Sequence, residues 1–121
     1  MSEIRIPVDV SAWIGPYPFR ELPHPDASTL VRVLERENIG RAWVGSLPSV
    51  WHRDPEPANE VLYTQLSAYG GVLLPSPTVR PDWPGWEAVL DTAASRGAPS
   101  VRCYPMQIGM GAGSAHLAAL A

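Results

Sequence analysis

The chain alternates short apolar runs rich in β-branched residues with longer stretches whose apolar positions recur every three or four residues. The runs are Ile4–Ile14, Arg41–Leu47, Gly71–Thr78 and Ser100–Tyr104. Their starts lie roughly 30 residues apart, the usual length of a strand, a crossover helix and the next strand. Between them, Ala27–Asn38 carries Leu30, Val31, Val33 and Leu34 at helical spacing, with Asp26 as N-cap and Asn38 as the stop. A second helix over Glu56–Tyr69 aligns Val61, Leu62, Leu66 and Tyr69, and Pro55 and Pro57 fall where a first turn accepts proline. In the third, Trp86, Val89, Leu90, Ala93 and Ala94 form one apolar stripe closed by Gly97. A fourth helix begins at Ser114 and runs through His116, Leu117 and Leu120. This alternation predicts an α/β fold with a parallel (β/α)4 arrangement. Two architectures satisfy it: an open doubly wound sheet, or half of a (β/α)8 barrel, since a whole barrel takes about 250 residues.

Composition narrows the function classes. The 121 residues suit one domain spanning 1–121, and at 45% hydrophobic they suffice for a sizeable core. Nine basic residues, all Arg, face twelve acidic ones, for a net charge of −3. No basic stripe is present, so neither nucleic acid nor an anionic membrane is an expected partner. The single cysteine, Cys103, can build neither an intramolecular disulfide nor a zinc ribbon. The opening Met1-Ser2-Glu3-Ile4-Arg5-Ile6-Pro7 lacks the plan of a signal peptide, and no apolar run approaches the ~20 residues of a membrane span. A cytoplasmic protein is the expectation.

Four segments, in order, carry a family likeness. Asp9-Val10-Ser11-Ala12-Trp13-Ile14-Gly15-Pro16-Tyr17-Pro18-Phe19-Arg20 resembles the first strand of the amidohydrolase-2 (ACMSD-like) metal-dependent hydrolases, which reads Asp-x-His-x-His before a glycine-bearing loop. Asn38-Ile39-Gly40-Arg41-Ala42-Trp43-Val44 resembles the family's entry to strand two, and Pro75-Ser76-Pro77-Thr78-Val79-Arg80-Pro81 its strand three. Ser100-Val101-Arg102-Cys103-Tyr104-Pro105 resembles strand four. The likeness covers nearly the whole chain and implies the N-terminal half of a TIM barrel. The family's two strand-one histidines would fall at Ser11 and Trp13, a poor neutral ligand and an indole with no lone pair to give. The remaining family ligands come from strands five, six and eight. The expectation is therefore no metal and no cofactor.

Candidate site residues follow from alternation and position. Asp9, Ser11 and Trp13 share one face of strand one if period two holds, with Trp13 near the C-terminal rim. Asp9 is then a catalytic or orienting carboxylate, or the partner of Arg102 in a buried ion pair. Arg102 and Tyr104 share a face of strand four, where a guanidinium suits a carboxylate or phosphate. Cys103 on the opposite face reads as a small buried hydrophobe. His52, following strand two, is the candidate acid–base residue because its side chain titrates nearest neutrality. Trp51-His52-Arg53 and Arg80-Pro81-Asp82-Trp83 set arginine beside an aromatic, either lining a pocket or covering the sheet end. His24 and His116 read as solvent-facing, and Gly109–Ser114 as a flexible turn rather than a phosphate cradle.

Two functions are consistent with these residues. One is a hydrolase or decarboxylase of a small carboxylated or cyclic substrate, with Asp9 and His52 catalytic and Trp13, Arg53, Arg80, Arg102 and Tyr104 binding substrate. The other is a non-catalytic anion-binding or assembly module. Half a barrel also leaves strand edges open and Val8, Val10 or Trp13, Val44, Leu73 and Val101 without an opposing half, which predicts a homo-oligomer.

Overall fold

Asp26 starts the first helix as the sequence predicts. Its Oδ1 accepts the Thr29 backbone N–H at 2.8 Å and the Thr29 hydroxyl at 2.6 Å. The helix, α1 (Ala27–Arg36), stops in a Schellman turn. Asn38 takes a left-handed φ of 58°, its N–H donates to Glu35, and Ile39 N–H donates to Leu34. The same device ends α3 (Trp86–Ser95), with Gly97 at φ 73° and Ala98 N–H donating to Ala93. The computed structural model describes residues 7–16, 21, 25–105, 107, 109–111 and 113–121. The strand prediction for residues 4–6, and His24, lie outside them.

The remaining elements are β1 (Val8–Ile14), β2 (Arg41–Ser46), α2 (Glu56–Leu66), β3 (Leu73–Pro75) and α4 (Ala115–Leu120), with 3-10 turns at Pro48–Val50 and Ser67–Tyr69. The three strands form a parallel open sheet in the order β1-β2-β3. The run at Ser100–Tyr104 joins it by a single parallel bridge, Thr78 to Arg102, with Arg102 N–H donating to Pro77 and Val79 N–H to Arg102. Prolines account for that brevity: Pro75 and Pro77 have no N–H to give.

One face of the sheet carries the core. Ala12 and Ile14 from β1, Ala42 and Val44 from β2 and Leu73 from β3 pack on Ala27, Leu30 and Leu34 of α1 and Leu62 and Leu66 of α2. Val44 and Leu73, expected on the opposite, interior face, are therefore helix-facing. Val61 is also displaced from its expected place and lies 56% exposed, while Ala58, Asn59 and Tyr63 are buried on α2. Crossovers that keep their helices on the same side leave the other sheet face to Trp13, Trp43, Leu74 and Tyr104, all half-buried.

Candidate functional site

The period-two expectation for strand one fails at a bulge. Asp9 lies opposite Ala42 but Ala12 lies opposite Val44, so β1 holds one extra residue between them. An extra residue reverses the alternation. Asp9 and Trp13 therefore do not share a face. Asp9 instead caps its own bulge, its Oδ1 accepting the Ser11 N–H at 2.8 Å.

The bulge also interrupts the β1–β2 ladder, and Arg102 fills the gap. Its Nη1 donates to the Ala12 carbonyl at 3.1 Å. Its Nη2 donates to the carbonyls of Val10 at 3.1 Å and Trp43 at 2.8 Å. Nε reaches Ser76 Oγ at 3.2 Å, and Ser76 shares a 2.7 Å hydrogen bond with Ser100. The expected Asp9–Arg102 ion pair is thus replaced by a guanidinium bound to main chain from two strands. Gly45 makes the approach possible, because a Cβ there would collide with Arg102 Nη1.

Three of the expected binding residues do converge. The Arg102 guanidinium lies 4.7 Å from the Trp13 ring centroid, and Trp13 and Tyr104 stack with centroids 5.5 Å apart. The Tyr104 hydroxyl is buried, which pushes its pKa up. Arg102 and Thr78 pull it the other way without meeting the hydroxyl in hydrogen-bond geometry. Cys103 is half-buried and free, and burial raises its thiol first, the Asp82 charge second.

The other candidates stand apart. Asp9 sits near the start of β1, and about 13 Å of strand rise separates its level from the end of β2, beyond which His52 follows. His52 is exposed and borders a shallow apolar cleft with Pro16, Pro48 and Trp51. Arg80 forms a two-point ion pair with Asp82, Nε to Oδ1 at 3.0 Å and Nη2 to Oδ2 at 2.7 Å. Donation from Arg80 holds the Asp82 carboxyl below its usual range. Arg80 Nη1 also donates to the Arg53 carbonyl, so Arg53 enters this cluster by its main chain while its exposed side chain does not.

A buried polar row at the carboxyl ends of β2 and β3 escapes pattern reading. Ser49, 1% exposed, donates to the Ser46 carbonyl and hydrogen-bonds Thr78 Oγ1. Asn59 Nδ2 donates to the Thr78 carbonyl at 2.8 Å, and its Oδ1 accepts the Thr78 N–H at 2.9 Å. The sequence did hold a signal: Asn59 is a polar residue three and four positions before the core residues Leu62 and Tyr63.

The residues present do not fit the metal of the resembled family. Ser11 is exposed beside the bulge, Trp13 lies against a guanidinium, and among the described residues no group of three or more His, Cys, Asp and Glu could hold an ion. No helix among the described residues is long and apolar enough to cross a membrane. Set against known proteins, the chain matches no family model, no curated protein and no solved structure.

Proposed function

We propose that the chain is an amidohydrolase-like (β/α)4 half-barrel that acts as an assembly module, two copies meeting through the sheet face opposite the helices and the β1 edge. The observation that carries this reading is the placement of Arg102. The guanidinium expected to hold substrate is engaged with three main-chain carbonyls, a serine and an indole. It makes the open face a braced surface. Two further features support it. Strand order runs β1-β2-β3 and continues outward through the parallel bridge of Thr78 to Arg102, as in a barrel, whereas a classic doubly wound sheet sets its fourth strand beside the first. On β1, Val8 and Val10 are 44% and 55% exposed, an apolar edge of the kind that pairs with another chain.

Small-molecule hydrolysis or decarboxylation is a second reading, favoured by one observation. The unpartnered Tyr104 hydroxyl lies among Thr78 and Arg102 at the strand carboxyl ends, where barrel active sites are built. Light scattering of the purified chain at micromolar concentration should report a dimer or larger species. A monomer across the accessible concentration range refutes assembly. Turnover of amide, lactone or carboxylic-acid substrates that disappears in Tyr104→Phe or His52→Ala establishes the second reading in its place.

A further inference from the structure

Among the described residues, β1 ends the sheet, so its outer side has no strand beside it. Bare edges of this kind invite another chain, and proteins close them with bulges, charges or covering segments. Peptide geometry decides which backbone groups of β1 point outward. In a planar trans peptide, the C=O of one residue and the N–H of the next point in opposite directions. Carbonyls of the strand and its flank are engaged on the β2 side. Pro7 accepts the Gly40 N–H at 3.1 Å, and Ile14 accepts the Leu47 N–H at 2.8 Å. Val10 and Ala12 accept from Arg102, which also donates to the Trp43 carbonyl of β2. The N–H groups of Val8, Ser11, Trp13 and Gly15 therefore point away from β2, to the outer side.

Two of these donors already have acceptors. Asp9 Oδ1 takes the Ser11 N–H at 2.8 Å, and the Pro25 carbonyl takes the Gly15 N–H at 2.7 Å. The bulge allows the first contact, because the extra residue after Asp9 lets its short side chain turn back onto its own strand. A strand arriving at this point would find the Ser11 N–H taken and a carboxylate facing its carbonyls. Val8 and Val10, 44% and 55% exposed, lie on the amino-terminal side of the cap. Pairing confined to that short half suits two copies meeting about a twofold axis, each offering the same few residues. It does not suit head-to-tail parallel addition, in which every copy pairs along the strand and the sheet grows without closing.

We propose that Asp9 is a gate on the β1 edge: by occupying the Ser11 N–H it confines strand pairing to Val8–Val10 and stops association at two copies. The inference rests on the reading of β1 as the edge through which copies meet.

The test compares Asp9→Ala, which removes the cap, with Asp9→Asn, whose amide oxygen still accepts the Ser11 N–H. Sedimentation velocity and light scattering of the full chain over a range of concentrations read the outcome. Asp9→Ala should grow beyond two copies as concentration rises, to a weight-average mass about twice that of wild type or more. Asp9→Asn should match wild type. Adding Val10→Lys to Asp9→Ala should suppress the growth, because lysine on an edge blocks strand addition, whereas aggregation through unfolded chain would continue. An Asp9→Ala of wild-type size, equal growth in Asp9→Asn, or growth that persists with Val10→Lys would each overturn the gate. A dimeric wild type with an unchanged Asp9→Ala refutes the gate and leaves assembly standing. A monomeric wild type beside an Asp9→Ala that associates and is blocked by Val10→Lys refutes wild-type assembly and supports the gate.

Discussion

One guanidinium does the work of a missing stretch of ladder. The bulge between Asp9 and Ala12 leaves carbonyls of β1 without their regular partners, and Arg102 donates to Val10, Ala12 and Trp43 across the break. Hydrogen bonds from a charged group contribute more than neutral ones, and removing the donor strands its acceptors. Arg102→Ala should therefore lower unfolding stability by about 2–4 kcal/mol. Arg102→Lys should recover little, because one ammonium cannot reproduce a fork that reaches two strands. Arg36→Ala, whose side chain is 72% exposed, should stay within about 0.5 kcal/mol. Urea unfolding measures all three, and similar midpoints for Arg102→Ala and Arg36→Ala would show that the bracket is not structural. Asn59→Asp should also destabilise, since it loses the donor to the Thr78 carbonyl and places a carboxylate in a site 3% exposed. Its deficit should shrink as acid neutralises the new carboxyl.

The helices and the positions of the strands could be read from the chain because their signals are local. Asp26, Asn38, Gly97 and Ser114 stop and start helices through backbone bonds within a few residues, and each does so in the structure. What could not be read depends on distant partners. The bulge in β1 has no signature in Val8–Ile14, and it reversed the predicted face of Asp9 relative to Trp13. Arg102 was read as a partner for charge, but its acceptors are main-chain carbonyls up to 92 residues away, which carry no residue type. The cap of α1 yields a prediction at this scale. Hydrogen bonds from Thr29 and Ser28 hold the Asp26 pKa below its ordinary value of 3.8. A carboxylate whose pKa is depressed by folding adds stability above its unfolded value, and loses it as pH falls through the folded one. The stability gap between wild type and Asp26→Ala should thus be full above about pH 4 and close progressively below it. For Asp26→Asn, whose amide oxygen caps without titrating, stability should show less of that acid loss. Chemical unfolding at pH 3 and pH 6 distinguishes the two, and a gap for Asp26→Ala that ignores pH would mean the cap is not formed in solution.

For the molecule as a whole, the asymmetry between the two sheet faces underlies the proposed association. Among the described residues, the helix-facing side is closed by the buried core, while the other carries half-buried Trp13, Trp43, Leu74 and Tyr104 beside a β1 edge with exposed Val8 and Val10. Two exposed valines on an edge strand offer apolar surface and unpaired backbone groups to a second chain, and a twofold axis lets such an edge cover its own copy. Lysine on an edge strand blocks such pairing, because joining two copies would bury its charge. Val10→Lys should therefore shift the proposed dimer to monomer at concentrations where the wild type associates. Because Val10 is 55% exposed in the single chain, any loss of intrinsic monomer stability should stay within about 0.5 kcal/mol. Val61→Lys is the matched control. Val61 is 56% exposed, but it projects from α2 on the helix side, away from β1 and the open face. Light scattering should find Val61→Lys dimeric and Val10→Lys monomeric, each retaining one cooperative unfolding transition. If both variants keep the dimer, or both lose it, association does not run through the β1 edge and the twofold closure of the sheet is wrong.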